Sequence, residues 1–96
     1  MAKFETIWKV QIDLDRLDQR GRTEILLPEG AVVVHVATAV MARMIELWAR
    51  VDPEAPMRTR KFRVAGTGHP LVQQERYIGT VHESRFVWHV FEVETP

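Results

Sequence analysis

Hydrophobic and polar residues alternate along the first part of the chain, from Phe4 to Ile12. Glu5, Lys9 and Gln11 fall on one face of this segment together with Ile7. The opposite face carries five residues with a largely apolar or β-favouring character, namely Phe4, Thr6, Trp8, Val10 and Ile12. A period of two with such residues predicts a half-buried β-strand.

Four later segments show the same strand-like character between turn residues. These predicted strands are Thr23 to Leu27, Met57 to Ala65, Tyr77 to Val81 and Phe86 to Val93. In the second of them Phe62 and Val64 should face inward together with Arg60, while Lys61 and Arg63 point outward. The last strand carries apolar residues on both of its faces.

The connections between these strands have clear turn signals. Pro28-Glu29-Gly30 predicts a tight turn, and the two prolines in Asp52 to Pro56 exclude both a helix and a central strand. The polar residues His82 to Arg85 predict a hairpin turn. The charged stretch from Asp13 to Arg22 should be an exposed connection, anchored by leucines as a short helical turn.

The stretch from Ala31 to Asp52 is ambiguous. Val32 to Val36 is β-branched on both faces, which is typical of a buried strand. Ala39 to Arg50 is rich in helix-favouring residues. In addition, seven apolar residues between positions 33 and 48 have the i, i+3, i+4 spacing of one face of a helix. These residues are Val33, Val36, Ala37, Val40, Met44, Ile45 and Trp48. We expect two strands with a tight reversal near Ala39 to Ala42; the alternative is one helix around residues 36–51.

These patterns together predict an all-β fold, a small antiparallel β-sandwich or barrel of six to seven strands. With the helix around residues 36–51, the class would instead be α+β. The chain has 96 residues, of which 46% are hydrophobic, so we expect residues 1–96 to form a single domain with a real core.

Composition and charge narrow the classes of function. The chain contains no cysteine, so disulfides, thiolate catalysis and cysteine-ligated zinc are excluded. Thirteen basic residues balance thirteen acidic ones, so the chain lacks the excess positive charge that is typical of a dedicated nucleic-acid-binding protein. Neither a secretory signal nor a membrane span is evident, because charged residues interrupt the longest apolar tract. We therefore expect a cytoplasmic protein with no membrane partner.

The loop from Gly66 to Pro70 is the most informative local feature. Its two glycines can adopt positive φ and expose backbone N–H groups, which can form a nest for an anion. Nearby cations could add charge-assisted hydrogen bonds. The candidate ligand-binding residues are therefore Arg63, Gly66, Thr67, Gly68 and His69. The same residues are also typical of an ordinary tight turn, and the sequence leaves both interpretations open.

No catalytic set, metal site or cofactor site is predicted from the sequence. The four histidines are His35, His69, His82 and His89, and no two of them have the i+2 or i+4 spacing of metal ligands. Ser84 is the only serine and lacks the sequence of a nucleophile elbow. His35 and His89 lie in apolar strands, so we expect them to be hydrogen-bonded core or interface residues.

Most of the chain resembles a family of small uncharacterised proteins encoded by phages and prophages. The resemblance rests on Leu47 to Glu54, on the pattern Arg-x-Phe-Arg-x-x-Gly-Thr-Gly-His-Pro at Arg60 to Pro70, and on Tyr77 to Thr80. The final strand, Phe86 to Glu92, also matches, whereas Val40 to Arg43 departs from the Gly and Pro usual at that reversal. The family brings no established activity, and it implies an accessory phage protein that acts on the host.

The expected function is that of a non-enzymatic binding protein. It would engage a host protein or sequester a small anionic, nucleotide-like ligand, and could thereby act as an inhibitor of host defence. Trp48, Trp88 and Phe91 exceed what so small a core needs, so we expect them at a homo-oligomer interface or in a ligand pocket. The alternatives are a nucleotide-processing hydrolase that uses His69 with Arg63, and a structural protein of the virion or its assembly.

Overall fold

A computed structural model describes residues 4–71 and 74–94 as an all-β protein. Seven strands form two antiparallel sheets, as the alternation of polar and apolar residues predicted. The strands are β1 (Thr6–Asp13), β2 (Arg22–Pro28), β3 (Val32–Thr38), β4 (Met44–Val51), β5 (Met57–Gly66), β6 (Glu75–Glu83) and β7 (Phe86–Val93). A single 3₁₀ turn, Leu14–Arg16, joins β1 to β2, and Leu14 is buried beneath it as expected.

The two sheets differ in size and in strand order. The three-stranded sheet has the order β1-β4-β3, and the four-stranded sheet has the order β2-β5-β7-β6. Every neighbouring pair is antiparallel. No helix in the described part of the chain is long and apolar enough to cross a membrane.

The ambiguous stretch folds as a hairpin of β3 and β4, and the helix around residues 36–51 is absent. Register pairs such as Val36 with Leu47 place apolar side chains on a common face. The reversal closes with a hydrogen bond from Ala39 N–H to the Met44 carbonyl (3.1 Å), and Arg43 adopts a φ of 68°. Helix propensity in this stretch is outweighed because the strand pairing buries Ile45 and Leu47 completely.

The core lies between the inner faces of the two sheets. Alternation holds along β1, where Trp8, Val10 and Ile12 face inward and the residues between them face solvent. The side chains that are fully or almost fully buried come from both sheets and include Ile12, Leu27, Ile45, Leu47, Val51, Phe62 and Val90. Burying each large apolar side chain contributes about 1.5–3 kcal/mol relative to leaving it exposed, so this layer dominates the stability of the fold.

One corner of the sandwich is closed by irregular strands. The register shifts between Val33 and His35 in β3 and between Tyr77 and Gly79 in β6, and these two edge strands pack against each other. Gly79 lies directly against Val36, and a Cβ at position 79 would overlap the Val36 side chain. Bulges at this corner let the sheets bend toward one another, and glycine allows the close approach.

Candidate functional site

The glycine loop forms a compact turn at the end of β5. His69 N–H donates to the Gly66 carbonyl (3.1 Å), and Gly68, at the third position of the turn, has a φ of 92°. A positive φ at this position is characteristic of a type II turn, which favours glycine there. In return, Gly66 N–H donates to Nδ1 of His69 (3.0 Å). Two of the N–H groups that could have faced an anion are therefore used within the turn.

Arg63, the cation predicted to serve this loop, makes its hydrogen bonds outside the Gly66–His69 turn. It lies on the outer face of the four-stranded sheet, and its side chain is only 12% exposed. Its guanidinium donates to the Arg20 carbonyl (3.1 Å), the Pro70 carbonyl (2.7 Å) and Glu75 Oε1 (2.8 Å). The side chain of Glu75 is only 1% exposed. Arg63 thus holds the loop onto the sheet rather than extending into the turn.

Arg22 lies directly opposite Arg63 in the register of β2 and β5. Like charges at directly opposite positions destabilise a sheet unless something neutralises them. Glu75 neutralises Arg63, but Nε of Arg22 is buried and has no hydrogen-bond partner within residues 4–71 and 74–94. A buried donor without a partner is unfavourable, so this geometry favours an added acceptor.

Three arginines meet in what we call the arginine cleft, a cavity of about 260 Å³ lined by Arg20, Arg22, Arg63, Pro70 and Glu75. Arg20 lies within, and Arg22 directly after, a tight turn that Asp18 organises and that closes with a hydrogen bond from Gly21 N–H to the Asp18 carbonyl. Asp18 Oδ1 accepts the backbone N–H groups of Arg20 (2.7 Å) and Arg22 (3.0 Å). These two hydrogen bonds lower the pKa of Asp18, and the one from Arg22 has the larger effect. The carboxylate therefore stays charged while it fixes the backbone that presents both arginines.

A larger cleft of about 540 Å³ continues from the arginine cleft, and the two share Arg20, Arg63 and Pro70. Trp88 also lines this larger cleft, and its indole N–H is buried without an acceptor in the described part of the chain. The region therefore combines cationic side chains with a second buried donor. Both features suit a ligand that is rich in acceptor atoms.

On the other side of the loop lies what we call the loop cavity, about 260 Å³ in volume. It is lined by Ala65, Gly66, Thr67, Gly68, His69, Leu71, His89 and Phe91. Ala65 and Phe91 are buried here although neither belongs to the main core cluster. The loop thus covers a small apolar area on the outer face of the sheet.

A chain of polar groups borders the loop cavity. His89 Nε2 lies 2.9 Å from Thr67 Oγ1, and His89 Nδ1 lies 2.9 Å from Thr80 Oγ1. Thr80 Oγ1 in turn lies 2.5 Å from the Tyr77 hydroxyl. His89 is therefore held at both ring nitrogens by hydroxyl groups, each of which can donate or accept.

A second arginine cluster lies on the inner face of the same sheet, where a cavity of about 380 Å³ is lined by Arg60, Arg76 and Glu92 among others. Glu92 accepts hydrogen bonds from both arginines. Burial alone would raise the pKa of Glu92, but the bonds from Arg60 and then Arg76 outweigh it and lower the pKa. Both arginines already donate to Glu92, so they have fewer free donors for an anion than the arginines of the arginine cleft.

The three residues predicted for an interface have different environments. Trp48 is half-buried on the outer face of the three-stranded sheet, where its ring centroid lies 5.5 Å from that of His35. Trp88 packs against the core and stacks on Phe86, and Phe91 is 7% exposed beneath the loop. Two of the three aromatic residues are thus used within the chain itself.

Sequence reasoning predicted the loop and Arg63 but not Arg20 and Arg22. The signal was present in Arg20-Gly21-Arg22, two cations around a glycine at the start of a strand. Only the register of β2 against β5 shows that Arg22 meets Arg63. Within residues 4–71 and 74–94, no three histidine, aspartate or glutamate side chains come together in a way that could hold a metal ion.

Comparison with known proteins gives one match, to a family model. Neither the curated proteins nor the solved structures contain a match to this chain. The model that matches covers residues 4–96, which is nearly the whole chain. The chain therefore belongs to the family described as Domain of unknown function (DUF7352).

Proposed function

We propose that this protein is a non-enzymatic binding protein that sequesters a small anionic ligand in the arginine cleft. The observation that carries the proposal is Arg22, which faces Arg63 across the strand pair with Nε buried and without a partner in the described residues. A phosphate or carboxylate oxygen would satisfy that donor and reduce the repulsion between the two cations. Arginine suits this role because its planar fork matches the geometry of such anions.

The glycine loop contributes to this site by shape rather than by its own N–H groups. Pro70, at the end of the loop, forms one wall of the cleft, and its carbonyl accepts a hydrogen bond from Arg63. The loop and Arg63 therefore fix each other, which leaves Arg20 and Arg22 as the cations that contact the ligand. Preorganisation of this kind lowers the entropic cost of binding.

The biological role that fits this site is that of a phage-type accessory protein in the host cytoplasm. Removal of an anionic signalling molecule such as a cyclic nucleotide would inhibit a host defence without any catalysis. The resemblance to phage and prophage proteins supports this role by association. A homo-oligomer assembled through the face that carries Trp48 is compatible with it, because that face lies on the opposite sheet from the cleft.

A titration of the protein with inorganic pyrophosphate, and then with a panel of nucleotides and cyclic dinucleotides, tests the proposal. Arg22→Gln should lower the affinity for pyrophosphate at least tenfold, because it removes a charge-assisted hydrogen bond. Arg50→Gln is the matched control, since Arg50 is an exposed arginine on the three-stranded sheet that already pairs with Glu5. Equal affinities of the two variants would refute the arginine cleft as the site.

The second candidate function is hydrolysis, and the observation that favours it is the Thr67–His89 pair. A hydroxyl within hydrogen-bond reach of an imidazole is the minimal form of an activated nucleophile. His69, which the sequence analysis named for a hydrolase together with Arg63, accepts the Gly66 N–H at Nδ1. Incubation with the nucleotide panel separates the two functions, because a binding protein returns the ligand intact whereas a hydrolase converts it.

A further inference from the structure

The loop cavity and the arginine cleft lie side by side on one face of one sheet. Arg63 and Phe91 are directly paired on the neighbouring strands β5 and β7, about 5 Å apart in the sheet. His69 lines both the loop cavity and the larger cleft that continues from the arginine cleft. The segment that contains His69 and Pro70 therefore borders both spaces, with His69 lining the loop cavity and Pro70 the arginine cleft.

The loop cavity has the properties of a subsite for a flat ring. Ala65, which is 1% exposed, and Phe91 provide an apolar floor, and Leu71 stands at the rim with 56% of its surface exposed. A planar ring placed against Phe91 could stack or meet it edge-on, which adds to the gain from burial. Closure of Leu71 over such a ring would remove further apolar surface from water.

The polar side chains that border the loop cavity can form hydrogen bonds with one edge of the ring. Thr67 Oγ1 and His89 Nε2 already share a hydrogen bond, but a hydroxyl has one donor and two acceptor sites, so Thr67 retains capacity for a ligand. The chain through Thr80 and Tyr77 holds His89 in place. A ring that carries both donors and acceptors on its edge fits this border better than a plain hydrocarbon does.

We propose that the loop cavity and the arginine cleft form one composite site for an anion joined by a short linker to a planar heteroaromatic ring, as in a nucleoside monophosphate. The proposal rests on the proposed function, because the anionic group occupies the arginine cleft. Each space alone, at about 260 Å³, is smaller than the roughly 300–1,000 Å³ typical of small-molecule sites, whereas the two together fall within that range.

The experiment compares ligands that carry both groups with ligands that carry only one. Calorimetric titrations of the full chain would use the four common nucleoside monophosphates, ribose 5-phosphate and inorganic pyrophosphate. At least one nucleotide should bind tenfold or more tightly than ribose 5-phosphate. Equal affinities for ribose 5-phosphate and all four nucleotides would overturn the ring subsite.

Matched variants assign any preference for the ring to the loop cavity. Leu71→Ala and Thr67→Val should reduce nucleotide affinity toward that of ribose 5-phosphate and leave pyrophosphate affinity unchanged. Leu26→Ala and Thr59→Val are the controls, because Leu26 and Thr59 are exposed on the same sheet and line neither space. A loss in Leu71→Ala no larger than that in Leu26→Ala would refute the assignment.

Failure of this inference is distinguishable from failure of the proposed function. If only the ring subsite is wrong, pyrophosphate still binds and Arg22→Gln still weakens it, while nucleotides gain nothing over ribose 5-phosphate. If pyrophosphate does not bind, or binds equally to the parent and to Arg22→Gln, the arginine cleft is refuted as an anion site and the composite site is refuted with it.

Discussion

The outer faces of the two sheets arrange their charges in opposite ways. On the three-stranded sheet Lys9 pairs with Glu46 (3.3 Å) and Arg50 pairs with Glu5 (2.8 Å), and these groups are largely open to solvent apart from Glu46. On the four-stranded sheet Arg22 faces Arg63, and the loop covers the nearly buried pair of Arg63 and Glu75. The first face pairs its charges within the chain. On the second face Asp18 interacts with the charge of Arg22, but Nε of Arg22 is buried without a hydrogen-bond partner in the described residues.

The comparison shows that the value of an ion pair depends on what covers it. Exposed pairs contribute at most about 1 kcal/mol, because water solvates either partner when the other is removed. Under the loop, water cannot replace a lost partner as easily, and removal of one member leaves an unpaired buried charge. The following predictions run from the largest expected effect to the smallest.

The comparison is tested most directly by Arg63→Met set against Arg50→Met. Loss of Arg63 should lower the free energy of unfolding by about 3 kcal/mol or more, because Glu75 loses a charged partner under the loop. Loss of Arg50 should cost less than about 1 kcal/mol. Urea denaturation at neutral pH measures both values. Similar values for the two variants would mean that the loop does not shield the pair.

The cluster of Arg60, Arg76 and Glu92 tests, as a function of pH, whether a buried ion pair contributes more to stability than an exposed one. Glu92 has a lowered pKa in the folded protein, so its contribution is fully present above its unfolded pKa of about 4.3 and is lost as the pH falls through the folded value. Glu92→Gln should cost about 2 kcal/mol at pH 7, and the difference from the parent should shrink below about pH 4.

Glu29→Gln provides the control for Glu92, since Glu29 pairs with Arg58 at a solvent-exposed position. Its effect should be small at every pH. Parallel urea titrations between pH 3 and pH 7 provide the measurement. A difference between Glu92→Gln and the parent that stays constant over this range would show that lost packing, rather than charge, explains the effect.

The loop that shields Arg63 depends on the backbone of Gly68. Gly68→Ala should destabilise the protein by about 1 kcal/mol, because a residue with a Cβ is strained at a φ of 92°, although nothing lies within 4 Å of the new atom. Gly68→Asn should lose less, since asparagine tolerates positive φ better. Thermal denaturation measures both, and equal stability of all three proteins would contradict the turn geometry.

The smallest effect on stability should come from Arg22→Gln. We expect a change within about 0.5 kcal/mol, with a gain rather than a loss at low salt, because the substitution removes a cation opposite Arg63. Any gain should shrink as salt is added. Urea midpoints at two ionic strengths provide the measurement, and a loss above about 1 kcal/mol would show that Arg22 stabilises the fold instead of awaiting a ligand.

Much of the fold could be predicted from local patterns, with the strands placed to within a few residues. Phe86 to Val93 was predicted with the bounds that β7 has, and the turns at residues 28–30 and 82–85 fall where the structure places its reversals. The stretch around residues 36–51 could not be decided from periodicity, since its apolar positions fit both a helix and two strands. Pairing with β1, which lies far away in sequence, favours the hairpin.

Only part of the candidate site could be predicted from the sequence, namely the glycine loop and Arg63. Glycine, proline and histidine marked the loop, because these residues impose local geometry that does not depend on the rest of the chain. The backbone N–H of Gly66 is not free for a ligand, because it donates to His69. The Arg63 side chain is held in place by its hydrogen bonds to Glu75 and Pro70. Such contacts are set by packing and leave no pattern in the sequence.

The sequence by itself determined most of the strands and the constrained glycine turn, because alternation and turn residues act through the local backbone. Only the tertiary structure decided that Arg22 meets Arg63, that Phe91 lies beneath the loop, and that His89 joins Thr67 to Thr80. The physical reason is register: a shift of one residue in a strand moves the side chains of that strand to the opposite face of the sheet and so breaks its contacts with the neighbouring strands.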